Sequence, residues 1–345
     1  MRRGPLTALV VAGILPLLAV EACRSPDNGV APGGAGVPAA GALPVGGAGQ
    51  VPLIDVGDPQ AVAAAPSIGP AEVKVLASPR GVVVPVLERG DHGWKVSTPC
   101  GREAIVPGGT PVQQVAVVID PGHGGYDPGA VGPNGLRESA LNLAVSLEAK
   151  AVLEREGVSV VLTRSDDHGM NLANRAKLAV ALGAKVFVSV HHNAAATATS
   201  SVPGSEAYYQ HDSEDSKRLA GLLYEDMVDA LSAFPVRWVS IGAGATWRSR
   251  ARDGDDYYAM VRLPKPVPAT LVELAYLSNP AEAALLARPE TVGVEGEAVA
   301  RGILRFLRTD EPGTGFTPGG QMAPRPRPRG GGGGVGEDPC DDPQL

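Results

Sequence analysis

The sequence predicts an α/β domain whose largely parallel, twisted sheet is covered by helices on both faces. Three observations carry that expectation. Beyond position 115, short apolar runs alternate with longer segments at helical spacing, the order that builds a parallel sheet. The first of these runs, 115–120, is continuously apolar up to a final acid, as a strand buried on both faces is. Gly and Pro number 45 and 32 in 345 residues, more than one compact domain uses, so unstructured stretches accompany the domain.

In chain order, Met1-Arg2-Arg3 and the apolar run 6–20 have the charge and length of an export signal, too short for a membrane span. Val20-Glu21-Ala22-Cys23 resembles a bacterial lipoprotein processing site, with Glu21 departing from the pattern. Two outcomes stay open: a lipid on Cys23 attaching the chain to a membrane, or ordinary cleavage nearby. The signal is assigned to 1–23. Residues 24–69, Ala, Gly, Pro and Val without a period, read as a flexible tether. In 70–113, β-rich runs such as 81–87 are separated by Gly and Asp turns. Gly93-Trp94-Lys95-Val96, with Gly101 and Val106 beyond, resembles part of a bacterial SH3-like module. A small β subdomain packed on the next domain is the other reading.

The α/β domain is assigned to 114–309. Strands are expected at 115–120, 158–163, 186–190 and 269–274, with a further strand at Glu206. Helices are expected at 138–156, 172–182, 213–233 and 295–307, the first two closed by Gly157 and Gly183. Sites on such sheets lie at the carboxyl ends of the strands. From Asp310, Pro-Arg repeats and five consecutive glycines read as a disordered tail, 310–345.

Charge and cysteine content exclude some functions. A formal net charge of −7 argues against non-specific nucleic-acid binding, which needs a basic surface. Cys23, Cys100 and Cys340 have no metal-ligand spacing and make no disulfide framework. A Cys100–Cys340 bridge is chemically open in an oxidising compartment, but it is not expected because Cys340 lies in the tail.

Three candidate metal ligands fall where the topology gathers them. His123 lies in Asp120-Pro121-Gly122-His123-Gly124-Gly125, a tight turn past the first strand. Glu138 opens the first helix and His191 ends the strand 186–190. Two imidazoles and a carboxylate suit catalytic zinc, leaving a position open. Plainer readings stand beside this one. The turn suits a phosphate cradle, Glu138 a favourable charge at a helix start, and His191 a satisfied core histidine. His191 and His192 are adjacent, so only one of them faces a given side of the sheet. His92, His168 and His211 read as solvated, Arg262 as part of a structural ion pair, and 247–256 as an irregular charged segment lining or shielding a groove.

Four blocks, in order, carry a resemblance. They are Ile119-Asp120-Pro121-Gly122-His123-Gly124-Gly125, Glu138 leading a helix with Leu141 and Leu143, Ser189-Val190-His191-His192-Asn193-Ala194, and Leu271-Val272-Glu273-Leu274-Ala275-Tyr276-Leu277-Ser278-Asn279. Over about 115–307 the chain resembles the zinc N-acetylmuramoyl-L-alanine amidases. Leu162-Thr163-Arg164 and Arg175 fit the same pattern. The resemblance implies zinc held by His123, Glu138 and His191, with His191 chosen over His192, and Glu273 as the catalytic glutamate. It implies peptidoglycan, a glycan strand with stem peptides, as substrate, and a site in the cell envelope or outside the cell. A monomer is expected. Arg137-Glu138-Ser139 and Ala275-Tyr276 depart mildly from the pattern, and the dozen or so residues between Asn193 and Glu206 leave no room for a long inhibitory helix. Two alternatives remain: a non-catalytic wall-binding or regulatory protein on this fold, and a zinc peptidase cutting within the stem peptide.

Overall fold

Alternating apolar residues fold the first described stretch into a small antiparallel sheet. Strands β1 (Val75–Ala77), β2 (Val83–Gly90), β3 (Gly93–Ser97), β4 (Glu103–Val106) and β5 (Thr110–Pro111) lie in the order β4-β3-β2-β1-β5. Val84, Trp94, Val96 and Val106 turn inward onto Val73 and Leu76, the one-sided burial that period-2 patterning produces. The computed structural model describes residues 73–194, 204–236, 244–316, 319–321 and 340–345, all inside one compact unit, Ala64–Leu345. The expected export run, Cys23 and the tether lie outside the described residues. Among the described residues no helix is long and apolar enough to cross a membrane.

The larger sheet is mixed. Strands β6 (Val117–Pro121), β7 (Val160–Leu162), β8 (Val186–Asn193), β9 (Glu206–Tyr209), β10 (Gly244–Thr246) and β12 (Ala269–Tyr276) lie in the order β10-β9-β12-β8-β6-β7. β7, β6, β8 and β12 are mutually parallel, β9 is antiparallel to β12, and β10 is parallel to β9. A short pair, β11 (Arg248–Ser249) and β13 (Gly320–Gln321), stands apart.

Helices cover both faces. α1 (Glu138–Arg155), α3 (Glu214–Ser232) and α6 (Pro289–Arg308) pack on one, where Val117, Val188, Val190 and Val272 meet Leu153, Leu223 and Ile303. On the other, α2 (Leu172–Ala181) and α4 (Ala259–Arg262) cover Val118, Phe187 and Leu271, and Val75 of the small sheet joins the same cluster. A short α5 (Pro280–Leu286) follows β12, capped by Asn279, whose side chain accepts from the Ala281 and Glu282 amides.

Three differences from the sequence reading have physical causes. α6 starts at Pro289 rather than 295, because Gly293 and Gly296 break the helical pattern while Gly296 and Gly302 let it cross tightly against Glu148 and Leu223. β8 runs past the apolar stretch, since His191 and Asn193 still pair with β12. The third concerns the end of the chain. Cys340 is disulfide-bonded to Cys100, against expectation, and 340–345 pack back on the small sheet with Leu345 against its core. Residues 310–316 also dock, Phe316 lying edge-on to Tyr209. The disulfide joins residues 240 positions apart, a separation that local patterning does not register.

Candidate active site

The turn carrying His123 is built by buried arginines. Asp120, next to last in β6, is fully buried beside Arg175 at 2.8 Å, with Thr163 and Ser189 also donating to its carboxylate. Burial is the largest influence on this carboxyl and acts to raise its pKa. Arg175 and the three hydrogen bonds outweigh it and hold the group below its ordinary value. Arg175 also donates to the carbonyls of Pro121, His123 and Met170, and Arg164 to those of Pro121, Gly122 and Ser139. Such ties hold His123 in the left-handed region, at φ +62°, a conformation that costs energy in a non-glycine residue. Gly122 is required beside it: a Cβ there would lie 2.2 Å from Cε1 of His191. A Cβ on Gly129, at φ +65°, would meet Glu138 and His123.

His123, Glu138 and His191 converge, with donor atoms all within 4.8 Å of one another. Glu138 Oε1 is 3.1 Å from His123 Nε2 and 3.0 Å from His191 Nδ1. This carboxylate is well oriented: the Ala130 amide donates to Oε2, and Asn142, one helical turn along α1, donates to Oε1. Burial, the largest effect, pushes the Glu138 pKa up, but the two histidines pull it well below the ordinary value. His123 moves the other way. Burial lowers its pKa, and Asp127 and Glu138 more than reverse this, raising it to about 10. The trio sets one ionised carboxylate between two imidazoles. Two imidazole nitrogens and a carboxylate oxygen also fit the donor chemistry of zinc.

The histidine pair divides between faces, as strand alternation requires. His191 turns to Glu138, while His192 is buried on the other side, its Nδ1 at 2.8 Å from Asn142 and its Nε2 at 3.3 Å from Glu295.

Glu273 sits opposite His191 in the β12–β8 register and opposite Glu206 in the β12–β9 register, so the three lie in a row on one face. Its Oε2 is sealed from solvent with no hydrogen-bond partner among the described residues. Burial first, then the charges of Glu138 and Glu206, push its pKa well above the ordinary carboxylate value, against His123 and Arg248. Glu206 accepts hydrogen bonds from Asn193, Tyr208 and Tyr276.

Some functional residues escaped sequence reasoning. Asp127 Oδ2 lies 2.7 Å from His123 Nδ1 and orients that ring. Its signal was the second Asp-Pro-Gly, Asp127-Pro128-Gly129. Others were misread. His168 is buried rather than solvated, paired with Asp166, because its loop closes over Gly124 and Gly125. Arg262 donates to the backbone carbonyls of Asp256 and Tyr257 instead of forming an ion pair. His92 is exposed. His211 gathers with Asp255 and Asp256, but the Lys265 ammonium already lies 3.2 Å from Asp256 and 3.0 Å from Asp212. That group has its cation.

A cavity of about 840 Å³ is lined by His123 and His191 of the trio, by Tyr126 and Met170, and by Arg102 and Asp341. An α/β sheet that presents a His-Glu-His nest and a sealed carboxylate at its strand ends defines a hydrolase class with room for a metal.

The family is established by comparison: the family model "N-acetylmuramoyl-L-alanine amidase" matches residues 117–305, and the chain belongs to that family. It is an amidase that hydrolyses peptidoglycan. An uncharacterised Bacillus subtilis protein, YqiI, is 35% identical over 59% of this chain and 88% of its own length. The Neisseria meningitidis amidase AmiC is 30% identical over 56% of this chain and 53% of its own. Among solved structures, the catalytic domain of the amidase CwlV from Paenibacillus polymyxa is 33% identical, covering 56% of this chain and 98% of that one, with a TM-score of 0.47.

Proposed function

We propose that the chain is a zinc-dependent amidase cleaving the amide between N-acetylmuramic acid and L-alanine, with His123, Glu138 and His191 holding the metal and Glu273 as the catalytic acid–base. The observation that carries this reading is the placement of Glu273 beside His191 across β12–β8, with its Oε2 buried and unpartnered. A non-catalytic wall-binding protein has no use for such a carboxylate, since leaving one unpaired costs stability.

Zinc, when bound, supplies Lewis acidity toward the scissile carbonyl and acidifies water. The chain's own groups do the rest. Asp127 fixes the His123 ring, and the Arg164 and Arg175 clamp fixes its backbone. Glu273 takes the proton of the attacking water and then delivers it to the departing alanine nitrogen. A raised pKa suits both tasks, since it makes the carboxylate a better base and its conjugate acid a usable donor near neutrality. The products are a lactyl carboxylate on the glycan and a free stem peptide.

The same reading takes 114–309 as the catalytic domain, supported by the family match over 117–305, and 70–113 as an SH3-like segment, supported by its five antiparallel strands. The chain is exported and monomeric, with Cys23 as lipid acceptor or as neighbour of a simple cleavage site. Mass spectrometry of purified peptidoglycan digested by the protein tests the bond. Peptides with a free L-alanine amine, lost on chelation, are expected; cuts inside the stem peptide would replace this activity with a peptidase.

A further inference from the structure

The segment 340–345 is firmly held, and two of its residues line the cavity that His123 and His191 also line. Cys340 is bonded to Cys100. Asp342 accepts from the Thr98 hydroxyl at 2.8 Å, the Cys100 amide at 2.7 Å and Arg102 Nε at 2.8 Å, while Arg102 Nη2 donates back to the Cys340 carbonyl at 2.9 Å. Leu345 anchors the far side against the small-sheet core. The disulfide, the four hydrogen bonds and the Leu345 packing order the segment, and they leave Cys340 and Asp341 lining the same cavity as His123 and His191.

The charges around that cavity are otherwise spent. Arg175 is committed to Asp120, Arg102 to Asp342, and Asp127 to His123. Asp341 is exposed and has no hydrogen-bond or ion-pair partner among the described residues. Asp341 is thus an uncommitted anion in the wall of the cavity that His123 and His191 also line, and a carboxylate there favours an ammonium group.

We propose that Cys340 and Asp341 form part of the wall of the substrate cavity and that Asp341 receives an ammonium group carried by the peptide part of the substrate, such as the side-chain amine of a diamino acid. This deepens the amidase reading and rests on it for the identity of the substrate. Asp341 is then a specificity-determining residue, and the Cys100–Cys340 bridge with the Asp342 clamp is what positions it.

The test measures binding by calorimetry on the full chain carrying Glu273→Gln, so that the probe is not consumed. The probes are a muramoyl tripeptide ending in lysine and the same compound acetylated on the lysine side chain. The free amine is expected to bind about tenfold more tightly than the acetylated probe. Asp341→Asn should erase that preference, as should Cys340→Ser combined with Asp342→Ala, which frees the segment. Asp341→Lys should turn it against the free amine. Equal affinity for the two probes, no binding of either, or a preference that survives Asp341→Asn overturns the inference. Cleavage of the free-amine probe by the wild-type chain, followed in parallel, reports on the amidase reading separately, because amine discrimination does not require turnover.

Discussion

Glu273 and His191 are direct cross-strand neighbours in the parallel pair of β12 and β8. Their side chains share a face with Glu206, and the row ends beside the turn that carries His123. Neither loop flexibility nor a lid is needed to bring these two side chains together. The sheet register does it.

Asp127 holds the His123 ring through Oδ2 while its Oδ1 accepts from the Gly129 amide at 3.0 Å. Asp127→Ala should lower zinc affinity by about 10- to 100-fold. A competition titration against a chromophoric chelator measures this, and unchanged affinity would make Asp127 a bystander.

Gly122 has no space for a methyl group, which would meet the His191 ring at 2.2 Å. Gly122→Ala should displace that ring and cut kcat/KM by about a hundredfold, while far-ultraviolet circular dichroism stays native. Full activity in this variant would mean the ring has freedom the structure does not show.

Arg175 is the counter-ion of a fully buried carboxylate. Arg175→Met leaves Asp120 charged and unpaired, and should cost about 3–5 kcal/mol of stability. Thermal unfolding should show a drop of about 10 °C, partly restored by adding Asp120→Asn. A shift of a degree or two would place the stabilising weight elsewhere.

Glu282 is buried at the start of α5, its Oε2 accepting from the Tyr276 amide. Burial raises its pKa from the ordinary 4.5 to about 7, so the native state binds its proton more tightly than the unfolded state does. The sign follows: this group's contribution to stability falls as pH rises from about 4.5 to about 7, then levels off. Glu282→Gln should therefore be near neutral at acid pH and stabilising by about 1–3 kcal/mol at pH ~8. Denaturant titrations at both extremes measure the difference, and a gain that shrank with rising pH would reverse the assignment.

Much of this arrangement was legible in the sequence because it depends on local pattern. Apolar runs ending in Asp120 and His191 announced parallel strands, and the period of a strand separated His191 from His192. Glu138 opening α1 was visible in the same way. What was not legible depends on contacts distant in sequence. Asp342 returning to Thr98, Phe316 docking beside Tyr209, and His168 closing over Gly124 leave no periodic trace in their own neighbourhoods. The helix at 295–307 was legible as well; only the start of α6, 289–294, escaped, where Gly293 weakens the helical signal.

The central claim is that His123, Glu138 and His191 hold a zinc ion that Glu273 uses but does not bind. Metal content by plasma emission spectrometry, paired with peptidoglycan digestion, on wild type, Glu138→Gln and Glu273→Gln tests it most directly. Wild type and Glu273→Gln should each retain about one zinc per chain, Glu138→Gln should lose it, and only wild type should digest, with Glu273→Gln down by at least about a hundredfold. Digestion by Glu273→Gln at the wild-type rate, or by wild-type protein stripped of metal, would contradict the account.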